Sequence, residues 1–298
     1  MIELPVLLDH RDVDWSTIRR TSYVIHQELH YQYPGPVHDL RQGLIVVPAD
    51  RHGGQRLIEH RLEVGSAHAE IRSEIDCFGN RRYLLDVPVV EEAVLFSVWV
   101  RVERLIDQVA APCNARQVRL FVQPSPLTEP DERLRAAATT LRASGVTGLE
   151  LAQAIMEWVY GAMSYMPDVT GVRTTAAEAL ALGQGVCQDY AHIMLALCRL
   201  CGIPARYVSG HLLGEGGTHA WVEVLLPAAR ARGEAMAFAF DPTHNRRAGP
   251  TTITVAVGRD YRDVAPTSGT FRAPYSGRLT ARKRAGIVAV EPHGGAAA

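Results

Sequence analysis

Residues 183–204 read GQGVCQDYAHIMLALCRLCGIP. The run predicts a helix that starts at Cys187 and stops at Gly202, because glycine suits the left-handed helix end and Pro204 cannot continue the helix. Ala191, Met194, Leu195 and Cys198 form one apolar stripe at helical spacing. Cys187 then sits in the first turn, where unpaired backbone N–H groups and the helix dipole favour negative charge. Both effects stabilise a thiolate over a thiol. The same N–H groups suit the oxyanion of a tetrahedral intermediate. Gly183 and Gly185 let the backbone approach a substrate. The alternative for an unpaired cysteine is an inert core side chain, since free Cys is among the most buried residue types. A base and an orienting carboxylate would separate the two readings.

Three runs after the helix read as strands: ARYVSGHL (205–212), HAWVEVLL (219–226) and AMAFAFDP (235–242). As an antiparallel hairpin, the last two pair with Ala220 opposite Phe240, Val222 opposite Phe238 and Val224 opposite Met236. That register puts an apolar set on one face, and a one-residue slip would break it. The other face then sets His219 opposite Asp241 and Trp221 opposite Ala239. Directly opposed residues have Cβ atoms about 5 Å apart, so a carboxylate there can fix the tautomer of the imidazole. Ala235, Ala237 and Ala239 keep this face shallow, which suggests that the Cys187 helix packs on it. Cys187, His219 and Asp241 are thus the candidate nucleophile, base and orienting acid. Their order and spacing exclude the caspase arrangement, with its upstream histidine, and the papain arrangement, with its distant one.

The first half has a different grammar. In TSYVIHQELHYQY, Tyr23, Ile25, Leu29, Tyr31 and Tyr33 share one face. In AVLFSVWVRVER, Val94, Phe96, Val98, Val100 and Val102 do the same. Period two with one buried face predicts strands, and the turn signals PGPV, RHGGQ and DCFGN between them predict an antiparallel β-sandwich. FVQPSPLTEPDE (121–132), with three prolines, marks a boundary. Helical grammar follows it. Thr147-Gly-Leu-Glu150 reads as a capping box before the stripe Leu151, Ile155, Trp158, Val159 and Ala162, and Thr175-Ala-Ala-Glu178 as a second, shorter helix start. The fold class is therefore α+β, helices first and an antiparallel sheet after, preceded by a β-sandwich. The expected segments are an N-terminal extension (1–20), the β domain (21–124), a catalytic domain (125–275) and a mobile tail (276–298).

The 298 residues carry a formal net charge of −1, which disfavours nucleic acid or an anionic membrane as the main partner. No run approaches the roughly 18 apolar residues of a membrane span. The odd cysteine count, five, and the lack of an export signal at the start suggest a reducing cytoplasm.

The runs GVCQDYAHIMLALCRLCGIPARYVSGHL, THAWVEVLLP and FAFDPTHN closely resemble the bacterial transglutaminase-like superfamily, often called transglutaminase-like cysteine proteases. The resemblance covers about residues 150–245, and Cys187, His219 and Asp241 fall on the family's Cys-His-Asp triad. YVIHQELHYQYPGPV and DCFGN resemble the N-terminal domain that commonly precedes this core. The resemblance implies a papain-like core and thiol-dependent acyl transfer or amide hydrolysis on peptide or protein substrates. The family includes crosslinkers, proteases, deglycosylating amidases and members without catalysis, so it leaves the substrate open. An arylamine acetyltransferase uses a similar triad, but GQGVC does not match the RGG-x-C pattern of that family.

Other residues are weighed against plainer roles. Gln184 is a candidate oxyanion donor or a turn residue. Tyr165 is a candidate cleft residue on position alone. Trp221 shares a face with His219 and is a shield against water or a packing aromatic. Cys198-Arg-Leu-Cys201 lacks a second ligand pair at finger-like spacing and reads as core rather than zinc or redox site. His192 lies about 140° around the helix from Cys187 and reads as structural. Asp189 complements the helix dipole. His244 is a rival base without an evident carboxylate opposite it. The chemistry requires no metal or organic cofactor.

Overall fold

The computed structural model describes residues 6–65, 68–106, 112–227 and 234–294. The β domain opens with β1 (Ile18–Gln32), β2 (Val37–Leu44), β3 (Gln55–Val64), β4 (Glu70–Ile75), β5 (Arg81–Val90) and β6 (Ala93–Leu105). The alternation expected in β1 and β6 is realised. Tyr23, Ile25, Leu29 and Tyr33 are buried, as are Val94, Phe96, Val98, Val100 and Val102. These side chains meet Leu40, Leu85 and Val87 of β2 and β5, so two sheets close on one apolar layer.

The helices follow: α1 (Ala115–Phe121), α2 (Glu132–Ala143), α3 (Gly148–Ala162), α4 (Ala176–Leu182) and α5 (Cys187–Leu200). Then come β7 (Ala205–Leu212), β8 (His219–Pro227), β9 (Glu234–Asp241), β10 (Thr252–Gly258) and α6 (Tyr261–Val264). The strands form an antiparallel sheet in the order β9-β8-β7-β10. Two short strands, Pro112–Asn114 and Arg246–Arg247, add to β9. No helix among the described residues is long and apolar enough to cross a membrane.

Local signals set these helices with one exception. At α4, Thr175 and Glu178 form the expected reciprocal cap. At α3, Thr147 is the N-cap but its side chain makes no capping bond. The helix starts there because Leu151, Ile155 and Val159 are drawn into the core, not because of the cap. Helix α5 ends with Gly202 at φ +75°. Ile203 N–H donates to the Cys198 carbonyl and Gly202 N–H to the Arg199 carbonyl, the paired bonds of a glycine-closed helix end. Cys198 is fully buried in the core and Cys201 packs against it, as read from the stripe.

The C-terminal region corrects the expected tail. After α6, β11 (Thr267–Arg272) joins β2, and β12 (Arg278–Pro292) pairs with β1 along its length. The two β-domain sheets are therefore β12-β1-β6-β3, with the short strand Arg51–His52 beyond β3, and β11-β2-β5-β4. The helical unit is inserted between strands of one sandwich. An edge strand exposes much of its surface and carries charge that discourages further pairing. Arg278, Arg282 and Arg284 face solvent while Ile287 is buried, and that composition imitates a tail. Only residues 295–298 of the expected tail, and 1–5 of the expected extension, lie outside the described residues. Leu8 of the extension bridges to Ile287.

The proline-rich segment is likewise fastened. The buried Arg199 guanidinium donates to the Phe121 carbonyl (3.2 Å), the Thr128 hydroxyl (2.6 Å), the Ser125 hydroxyl (3.2 Å) and the carbonyls of Ala205 and Arg259. The change of grammar falls before α1, because residues 112–114 already pair with β9.

Side-chain amides dock the β domain onto the outer edge of β10. Asn80 Nδ2 donates to the Val257 carbonyl and Val257 N–H donates to Asn80 Oδ1, both at 2.8 Å. Gln55 repeats the arrangement at Thr254, at 2.7 and 3.0 Å. These amides stand in for the missing neighbour strand. Asn80→Ala leaves two buried main-chain groups without partners, each costing about 1–3 kcal/mol. It should lower unfolding stability by about 2–4 kcal/mol, measured as a shift of the urea midpoint with an unchanged slope.

Candidate active site

Cys187 and His219 are the first residues of α5 and β8. The strand register differs from expectation by two residues: Val222 pairs with Phe240, Val224 with Phe238 and Leu226 with Met236. Shifting by two keeps every side chain on its face, so the apolar pattern cannot distinguish the registers. Turn length decides instead, and Pro227 opposite Ala235 makes the connection shorter. The ladder ends at Val222–Phe240, so His219 and Asp241 meet diagonally rather than face to face. Their side chains still span the gap: His219 Nε2 lies 3.0 Å from Asp241 Oδ2.

The helix also packs on the face opposite to that expected. Ala220, Val222, Val224 and Phe240 share a core with Ile193, Met194 and Leu197 of α5. The alanine face is covered by aromatic side chains, Phe121 over Ala235 and Ala237 and Phe78 beside Ala239 and Trp221. The larger apolar side chains make the deeper layer, and the helix goes there. Cys187 accordingly comes close to His219 at the end of the sheet, near enough for its sulfur to favour the charged imidazole. The sulfur-bearing residue is half-buried, whereas His219 and Asp241 are fully buried.

Electrostatics favour the charged imidazole. Burial works against the His219 cation, but hydrogen bonds to Asp241 and Cys187, and their negative charges, raise its pKa to about 10. Burial likewise works against ionisation of Asp241, and hydrogen bonding and charge from His219 and His244 overcome it, holding the carboxyl below its ordinary range. Asp241 Oδ1 also accepts from the Thr243 N–H at 3.2 Å.

The other candidates divide. Trp221 is buried, with its ring stacked on His219 at 6.1 Å between centroids, so it covers the imidazole. Tyr165 pairs with Gly185 in a short parallel ladder and is 57% exposed. Its hydroxyl pKa is raised by burial and by the charges of Cys187 and Glu215. Gln184 is half-buried beside Ser164 on that ladder. Asp189 does more than complement the dipole. Its Oδ2 accepts from the Val186 N–H (2.8 Å) and the Thr170 hydroxyl (2.6 Å), holding the turn before Cys187. A Cβ on Gly185 would collide with that carboxylate. His192 is structural, as read. Burial pushes its pKa down to about 4, and its Nε2 accepts from the Tyr261 N–H at 3.2 Å.

Two features were missed in the sequence. His244 does have carboxylates: Nδ1 lies 2.8 Å from Asp241 Oδ2 and Nε2 lies 3.3 Å from Glu215 Oε1. Glu215 also lies 3.6 Å from His219 Nδ1. The signal available was an acidic residue four positions before His219 in the glycine-rich turn GEGGTH. Among the described residues, His219, Asp241 and His244 form the one trio of such side chains with ligand atoms within 4.8 Å of one another. Two of those short distances are the hydrogen bonds to Asp241 given above.

Residues 135–231 match the Transglutaminase-like superfamily and residues 23–103 the Bacterial transglutaminase-like N-terminal region. The chain belongs to the transglutaminase-like superfamily. An uncharacterised protein of Mycobacterium leprae is 35% identical over 167 residues, 53% of this chain and 55% of that one. The chain thus spans about half the length of that relative. An uncharacterised protein of Mycobacterium tuberculosis is 26% identical over 247 residues, 72% of this chain and 76% of the other. A solved structure from Cytophaga hutchinsonii, described as a candidate cysteine protease, superposes with a TM-score of 0.73 at 21% identity, covering 91% of this chain and 92% of that one. That likeness shows the shared fold.

The His219 shift has a defined sign. A raised folded-state pKa favours the protonated native state, so the gain is whole below the ordinary value of about 6.5. It is lost as pH rises through about 10. The stability gap between the native chain and His219→Gln should therefore narrow between pH 6.5 and 10, as followed by urea unfolding. Gly185→Ala should displace Asp189 and destabilise by about 1–3 kcal/mol, read as a lower unfolding midpoint.

Proposed function

We propose that the chain is a cysteine-dependent amide hydrolase or acyl transferase acting on peptide or protein amides through Cys187, His219 and Asp241. The observation that carries this reading is the buried His219 imidazole, 3.0 Å from the Asp241 carboxylate and held charged by that carboxylate and by the neighbouring, half-exposed Cys187 sulfur. With Nε2 taken by Asp241, Nδ1 is the nitrogen left for the sulfur. The imidazolium so formed holds Cys187 as a thiolate.

The thiolate attacks the amide carbonyl. The oxyanion is met by the Cys187 N–H, which as the first of its helix has no intrahelical acceptor. Gln184 is a second donor within the same turn. His219 then protonates the departing amine and leaves a thioester. Water resolves it to an acid, and an amine resolves it to a new amide; hydrolysis is the favoured outcome. Asp241 keeps the ring oriented, and Trp221 keeps water from its face. A non-catalytic binding module is the alternative. It gives no reason to retain a sulfur, an imidazole and a carboxylate in hydrogen-bonding sequence at an open surface.

The test is incubation with a glutamine-containing protein library, with and without a primary amine, followed by mass spectrometry for cleavage, deamidation and crosslinking. Product should vanish in Cys187→Ala. It should fall about 10³- to 10⁴-fold in Asp241→Ala, as when the orienting acid of a triad is lost. Iodoacetamide should alkylate Cys187 well below pH 8 in the native chain. No product in any channel, with Cys187 alkylated no faster than a thiol peptide, would favour the binding module.

A further inference from the structure

Beside the site one carboxylate reaches solvent. Cys187 and His219 neutralise each other as an ion pair. Asp241, flanked by His219 and His244, is also approached by the Arg246 guanidinium at 4.0 Å. Glu215 remains. Its ion-pair partners among the described residues are the two histidines, already engaged with Asp241, and it has no lysine or arginine. Its side chain is 45% exposed, so the carboxylate faces both the site and the solvent from which a substrate arrives. On the ladder beside Gly185, two residues before Cys187, stand the exposed Tyr165 ring and Met166, an apolar surface that can cover the stem of a long side chain. A carboxylate beside an aromatic face suits an ammonium or guanidinium on an aliphatic stem.

We propose that Glu215, with Tyr165, forms a subsite that selects a positively charged side chain, lysine or arginine, next to the amide presented to Cys187. This assignment rests on Cys187 being the nucleophile. Glu215 is then a specificity-determining residue, and His244 is the group that holds it in place. An anionic side chain at that position would meet a like charge, so discrimination has a repulsive as well as an attractive part.

The subsite can be tested without knowing the substrate. Three methanethiosulfonate reagents of similar reactivity, one with a trimethylammonium group, one with a sulfonate and one neutral, are reacted with the full chain at pH 8. The rate at Cys187 is followed by peptide mass spectrometry, and the exposed Cys77 in the same chain serves as the internal reference. The cationic-to-anionic rate ratio should be larger at Cys187 than at Cys77. It should fall about tenfold in Glu215→Gln, the Coulomb effect of one carboxylate a few ångströms away in water, felt in opposite senses by the two probes. The neutral rate should stay the same, and high salt should shrink the ratio in the native chain. An unchanged ratio in Glu215→Gln, with the neutral rate intact, overturns the subsite and leaves the nucleophile standing. Failure of the neutral reagent to reach Cys187 overturns both.

Discussion

Asp241 is a carboxylate with no exposed surface, and much of the site follows from keeping its charge there. An isolated buried charge costs several kcal/mol unless paired and hydrogen-bonded. Oδ2 lies between two imidazole nitrogens and Oδ1 takes a main-chain N–H, so the cost is met from three directions. One partner comes from the start of β8 and the others from the turn after β9. Any change that moves these segments apart leaves a charge without compensation. The geometry is therefore held by electrostatic necessity rather than by packing alone.

The same strand extends that logic to the seam between the two halves. Along β8, His219, Trp221 and Glu223 point to one side. Glu223 is buried, accepts from Arg206 at 2.7 Å and lies 2.8 Å from His52 of the β domain. Burial opposes its ionisation, and the charges of His52 and Arg206 more than offset this, keeping the carboxyl well below its ordinary range. With Gln55 and Asn80 saturating the edge of β10, the seam is a set of matched polar groups. Fully satisfied networks of this kind fix a single arrangement. The sandwich thus acts as a rigid backing for the strand that carries His219.

Much of this was legible in the sequence where one residue type has one physical use. The α5 boundaries came from Cys187 at a glycine-flanked start and Gly202 before Pro204. The β-sandwich came from strict alternation in β1 and β6. His219 and Asp241 came from a pairing argument that was right about faces and wrong by two in register. The error has a clear source: period-two patterning is blind to even shifts, and turn geometry was not encoded in the pattern. The helix was placed on the wrong face because small residues were taken as room for it, when they made room for Phe78 and Phe121. The strand Arg278–Pro292 was hidden because a charged edge strand and a tail share a composition. Glu215 and His244 were hidden because their roles depend on loop placement, which carries no period.

The pairing of β12 with β1 means that both flanks of the inserted helical unit are tied to the same sandwich. A prosegment joined at one junction can depart after a single cut. Here the flanking module is woven from strands on either side of the insertion, so cleavage at one junction would leave it attached by the other and by fourteen paired positions of the ladder. The β module is thus a permanent half of the molecule and not a removable prosegment.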